Sequence, residues 1–140
     1  MNAIASTASA VPSRFIDNGD GTATDPKTGL VWHKATLGDG KRMTYDQALE
    51  AIAALGPEWR MPEFDELHIL VDRTRFSPAI DTNVFPDTKH GAYWTSTPTA
   101  WASRAAWIVN FYGGNSNDYN RDLNSAFVRA CRPLSSGQSL

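Results

Sequence analysis

The sequence predicts an α+β domain in which two adjacent helices pack on a small antiparallel sheet. Short runs of aromatic and β-branched residues, bounded by turn dipeptides, open and close the chain as strands do. Between them lie two stretches of helical period, residues 44–55 and 62–71. Strands, then helices, then strands is the order expected when helices lie on one antiparallel sheet. The 140 residues suffice for one domain with a real core.

Residues 14–25 read as a hairpin, RFID and TATD around Asn18-Gly19 and Asp20-Gly21, dipeptides that favour tight turns. A calcium loop of EF-hand type fails here. With Gly21 at position 6, Ile16 falls at position 1 and Lys27 at position 12, where oxygen ligands are required. A further turn, 25–29, leads into a short buried strand at 30–33. Thr44 and Gln47 have the spacing of a capping box, and Ala48, Leu49, Ile52 and Leu55 form the expected apolar stripe. Gly56-Pro57 ends that helix. Pro62 suits the first turn of the second helix, with Glu63, Asp65 and Glu66 at its positive end and Phe64, Leu67, Leu70 and Val71 on one face. Residues 76–90 carry two prolines, Pro78 and Pro86, among Asp and Thr, so they should wrap the surface with Ile80 and Phe85 tucked in.

The last third is predicted to hold strands at 93–97, 106–112 and 126–132, with a long irregular hairpin loop over 113–125. Every residue of that loop but Leu123 is Gly, Asn, Ser, Asp, Tyr or Arg. Such a mixture presents hydrogen-bonding and aromatic groups but cannot bury itself. A plain solvated hairpin is the competing reading. Of the five tryptophans, Trp32, Trp59, Trp94 and Trp107 have apolar company and read as structural, whereas Trp101 reads as exposed.

Composition narrows the function classes. The net charge of −2 and the lack of a basic run argue against nucleic acid as the main partner. An anionic polysaccharide would need Arg104, Arg121, Arg129 and Arg132 to converge in space. Cys131 is the only cysteine, so no intrachain disulfide or thiolate metal site can form. No stretch approaches the roughly 20 apolar residues of a membrane span, and membrane insertion is not expected. Residues 1–13 lack the charged and apolar regions of a secretory signal. They read as an N-terminal arm to a domain over 14–133, with 134–140 as a tail. Ends of this composition become ordered only when something, such as a partner in an assembly, pins them. His33, His68 and His90 lack metal-ligand spacing, and His68 with Asp72 reads as a helix-surface pair. Neither a nucleophile elbow nor a phosphate loop is present, and Cys131 reads as inert packing. The expectation is a non-enzyme without metal or cofactor.

At the level of whole motifs the chain resembles the Lcl C-terminal domain family, named for a collagen-like adhesin. The resemblance spans residues 14–132. It rests on RFIDNGDGTATDPKTGLVW (14–32), TYDQALEAIAAL (44–55), EWRMPEFDEL (58–67), the segment 80–86, YWTST (93–97), and WIVNF followed by FVRACR. It implies a fold similar to C-type lectin-like domains, in which two helices flank a small sheet and the C-terminal strands and loops carry the ligand surface. Members occur on bacterial adhesins and surface proteins. Some are targets of diversity-generating retroelements, which randomise adenine-containing codons; residues 115–124 consist only of outcomes of that process. Relatives often pair a first-helix cysteine with the one in the final strand, but the matching helix position here is Ile52. The related formylglycine-forming enzymes use cysteine pairs, so their activity is not implied.

Together these readings predict a ligand-binding module for a cell-surface glycan or protein, set in a bacteriophage tail or on a cell surface, as a homo-oligomer or within a larger assembly. The predicted binding residues are Asn115, Asn117, Tyr119, Asn120, Arg121 and Asn124, with Trp101 and Tyr112 as aromatic rims. Asn offers both a donor and an acceptor, and Tyr offers contact area at little entropic cost. A structural or decoration protein with a merely solvated loop is the rival, and an enzyme comes third.

Overall fold

Extended residues at 16–33 fold back on themselves twice because each return carries glycine at positive φ: Gly19 and Gly21 in the first turn, Gly29 in the second. The computed structural model describes residues 14–134; the predicted arm, 1–13, and all of the predicted tail except Leu134 lie outside the described residues. Strands β1 (Ile16–Asp17), β2 (Thr22–Asp25) and β3 (Leu30–His33) form an antiparallel meander, and β7 (Cys131–Pro133) completes it in the order β1-β2-β3-β7. A second antiparallel sheet has the order β4 (Ala92–Thr99), β5 (Ala102–Asn110), β6 (Asn115–Asn120). Two helices, α1 (Tyr45–Ala53) and α2 (Phe64–His68), separate the sheets in sequence. The domain is therefore α+β with two helices, as predicted, but its antiparallel strands form two sheets where one was expected.

Residues 126–131 stitch the two sheets together. The Phe127 N–H donates to the Ala92 carbonyl at 2.8 Å and Trp94 N–H to the Phe127 carbonyl at 3.0 Å, while His33 N–H and Leu37 N–H reach the carbonyls of Ala130 and Val128. The expected strand over 126–132 is thus an extended spine held by isolated bridges, regular only at its end. It lies between two sheets, so no single partner strand runs along it. Its alternation sorts the core. Phe127 and Cys131 join one cluster with Trp32, Tyr93, Val109 and Phe111; Ala126, Val128 and Ala130 join another with Ile52, Trp94 and Ile108. The middle of the β4–β5 pair is consequently buried on both faces, with Tyr93 and Val109 in one cluster and Trp94 and Ile108 in the other.

The helices depart from expectation in detail. The Thr44 capping box forms, with Gln47 N–H donating to Thr44 Oγ1 at 3.2 Å and Thr44 N–H to Gln47 Oε1 at 2.9 Å. Leu49, however, is 43% exposed, because the buried line runs through Tyr45, Ala48 and Ile52 and leaves position 49 a turn-face away. The second helix is one turn long. Pro62 lies outside it, its carbonyl accepting the Ser96 N–H at 2.8 Å, and the chain beyond Ile69 is drawn away by Asp72 N–H bonding to the Ala79 carbonyl. His68 stacks on Phe64 at 5.1 Å instead of pairing with Asp72, whose carboxylate takes Thr74 and Arg75. Ile80 and Phe85 are buried as expected. Burial pushes the Cys131 thiol up to about 12, in keeping with an inert packing role.

The carboxylates of the first turn are occupied internally. Asp17 accepts from Gly19 N–H and from Lys34, and Asp20 accepts from Thr22 through both N–H and Oγ1. Among the described residues, no three His, Cys, Asp or Glu side chains are grouped to hold a metal ion. A chelator should therefore leave the melting temperature unchanged. A drop of several degrees, or stoichiometric calcium uptake by calorimetry, would contradict this.

Asp25 is fully buried and receives Arg14 Nε and Nη2 at 3.0 and 2.9 Å. Burial alone would raise its pKa; the Arg14 hydrogen bonds and the Lys27 N–H outweigh it and hold the carboxyl below its ordinary value. Its stabilising contribution is thus present above the unfolded pKa of about 3.9 and is lost as pH falls through the lower folded value. In Arg14→Gln burial would prevail, so the acid-unfolding midpoint should move to higher pH. An unchanged midpoint would mean the pair does not support the fold in acid.

Candidate functional site: the β5–β6 hairpin surface

The predicted irregular loop over 113–125 is largely a strand. Asn, Ser and Asp are poor strand formers, yet residues 115–120 pair in unbroken register with β5, from Asn110↔Asn115 to Ala105↔Asn120. The apolar strand β5, anchored on its far side by β4, supplies a fixed template that local propensity does not reveal. The return is made at Gly114, where φ is +87° and the N–H bonds to the Asn110 carbonyl at 2.8 Å. A Cβ there would stand 2.8 Å from Val71 Cγ1, so the position requires glycine twice over.

Alternation divides the predicted residues between two faces. Asn115, Asn117 and Tyr119 share a face with Asn110, Ile108 and Ala106; Ser116, Asp118 and Asn120 share the other with Val109, Trp107 and Ala105. Residues 115–117 are exposed and 118–120 half-buried. Tyr119 is partly a core residue, its ring edge-on to Trp94 at 6.0 Å. Arg121 lies over the Tyr45 ring at 5.2 Å. Burial raises the Tyr45 phenol above its ordinary value, and Arg121 opposes that rise. Both line a cleft of about 250 Å³ with Asp46, Leu49, Arg104 and Asp122. The other arginines do not converge on it: Arg129 is fully buried and Arg132 sits over Trp59 at 5.3 Å. The condition set for an anionic polysaccharide is not met.

Three of the predicted asparagines brace the backbone. The Arg121 N–H donates to the Arg104 carbonyl. Continuing that alternation, Ser116, Asp118 and Asn120 turn their backbone groups away from β5. On this open edge Asp118 N–H donates to Asn117 Oδ1 at 2.9 Å and Asn120 N–H to Asn124 Oδ1 at 2.8 Å. Asn120 Oδ1 in turn accepts Asp122 N–H and Leu123 N–H, fixing the turn after β6. Side-chain amides thus blunt an edge that could otherwise add a strand. The Asn120→Ala/Asn124→Ala pair should lower stability by about 1–2 kcal/mol; an unchanged urea midpoint would show that the turn holds without them.

Exposed rings mark both ends of the hairpin. Trp101, 65% exposed, occupies the two-residue turn between β4 and β5 and meets Trp107 edge-on at 5.4 Å. At the other end Tyr112, 50% exposed, meets Phe76, 67% exposed, at 4.9 Å. Sequence reasoning found Trp101 and Tyr112 but missed Phe76, which lies in the proline-rich connector and reaches Tyr112 only through the Ser77 N–H bond to the Tyr112 carbonyl. It also took Trp107 as wholly structural, although that residue is half-buried; its place opposite Asp118 depends on β6 being a strand.

The described residues define a small α+β domain that presents the edge and turns of a three-stranded antiparallel sheet. The model of the Lcl C-terminal domain matches residues 21–132, and the chain belongs to that family. No curated protein matches the sequence. Among the described residues no helix is long and apolar enough to cross a membrane.

Proposed function

We propose that the protein is a non-enzymatic binding module that recognises a cell-surface glycan or protein through the β5–β6 hairpin, as a receptor-binding part of a bacteriophage tail or a surface adhesin. The observation that carries this reading is the contrast across one sheet. Residues 92–95 of β4 and Ala105, Ala106, Ile108 and Val109 of β5 are buried, while β6 and its turns hold out Tyr112, Asn115 and Asn117 together with Trp101. A rigid platform under exposed amides and rings is the arrangement that recognition surfaces use. The order of two helices followed by C-terminal strands supports a C-type lectin-like assignment. Diversification by a retroelement fits the solvent-facing positions 115–117, which can change without disturbing the core; it fits Asn120 and Asn124 less well, since they hold the turn.

The test is a variant combining Tyr112→Ala, Asn115→Ala and Asn117→Ala, assayed for melting temperature and for binding to host cells or a glycan array. Binding should fall at least tenfold while the melting temperature drops by only a few degrees. Retained binding would favour a structural or decoration role.

A further inference from the structure

The face of the hairpin that carries Trp107 has a chemistry that the exposed amides do not account for. Four rings form a row across it. Trp101 meets Trp107 at 5.4 Å and 81°, Trp107 meets Phe64 at 5.6 Å, and Phe64 stacks on His68 at 5.1 Å. Trp101 is largely exposed, and the other three are half-buried, so the row is open to solvent along its length. Two carboxylates flank it. Asp118 lies directly opposite Trp107, in a pair without mutual backbone bonds, the type in which side chains approach most closely. Asp65, next to Phe64, is exposed. Neither carboxylate has an ion-pair partner among the described residues, whereas Glu66 of the same helix is taken by Arg60 at 2.7 Å. Arg104, the nearest basic residue along β5, belongs to the opposite face by alternation and is paired with Asp122. An indole surface rimmed by free carboxylates attracts cations twice, through the ring quadrupole and through charge, and it repels phosphate, sulfate and uronate groups.

We propose that the Trp101–Trp107–Phe64 row docks a cationic side chain, Lys or Arg, from a basic segment of a protein partner, with Asp118 as its counter-ion. The proposal rests on the reading of the hairpin as a recognition surface and names the partner chemistry for one of its faces. Trp supplies the strongest ring for such a contact, and the free carboxylate makes the contact weaken as salt screens it.

The experiment titrates the full chain by calorimetry with a short oligolysine peptide, an oligoglutamate peptide of equal length and a neutral hexose, at low and at physiological salt. Saturable binding of oligolysine alone is expected, weaker at the higher salt. Trp101→Ala should weaken it by about tenfold and Asp118→Asn by about threefold, with melting temperatures close to the parent. The proposal is overturned if oligolysine does not saturate, if both variants bind it like the parent, or if oligoglutamate or the hexose binds equally well. The two readings fail separately: the Tyr112/Asn115/Asn117 variant leaves this row intact, so lost oligolysine binding with retained cell binding by the parent overturns this proposal alone.

Discussion

Trp94→Ala should cost about 3–5 kcal/mol, a large share of the roughly 5–15 kcal/mol that holds a domain together. Trp94 is fully buried, meets Tyr45 edge-on at 5.3 Å, and donates its indole N–H to the Met43 carbonyl at 2.9 Å. Truncation would open a cavity between α1 and the β4–β5 sheet and remove one of the two donors to that carbonyl, which keeps the Ala126 N–H at 3.0 Å. Trp32→Ala should cost a similar amount, since Trp32 is equally buried in the other cluster. Trp101→Ala should stay within about 0.5 kcal/mol, as exposed substitutions usually do. Half-buried Trp59 and Trp107 should fall between these limits. Urea unfolding of all five alanine variants measures the series, and five equal losses would show that exposure does not rank these sites.

Arg129→Ala is expected to be as damaging, about 4 kcal/mol or more. The guanidinium is fully buried and donates to the carbonyls of His33 and Lys34 and, at 2.7 Å, to Thr88 Oγ1; it also lies over the Phe85 ring at 4.6 Å. Burial lowers its pKa, and nearby Tyr93 and Asp87 oppose that shift. Alanine would strip donors from buried Thr88 Oγ1 and from two half-buried carbonyls, and a buried acceptor left unsatisfied costs about 1–3 kcal/mol. Arg129→Met separates the two contributions because it keeps most of the volume and none of the donors. It should recover part of the loss at most. A methionine variant as stable as the parent would show that the charge is dispensable, as it is at some buried ion pairs.

Local chemistry made much of this fold legible. Glycine dipeptides placed the first hairpin, and the Thr44–Gln47 spacing placed the start of α1. Helix α2 was overextended because Phe64, Leu67, Leu70 and Val71 keep a helical period that the chain abandons after Ile69, where Asp72 is drawn to Ala79. The candidate site was legible as a composition but not as a shape. Residues 115–120 look like loop because Asn, Ser and Asp prefer turns in isolation. They become a strand because β5 offers an unpaired edge that no property of NSNDYN records.

The sequence by itself determined the α+β class, the exposure of Trp101 and the family, since these follow from propensities, turn residues and motif order that act within a few positions. The tertiary structure alone decided that Asn117, Asn120 and Asn124 brace a sheet edge, that Arg129 is an internal donor, and that Trp107 shares a face with Asp118. Those facts depend on which strand lies beside which, and strand pairing across long separations is set by the burial of the whole core, not by the residues whose roles it fixes.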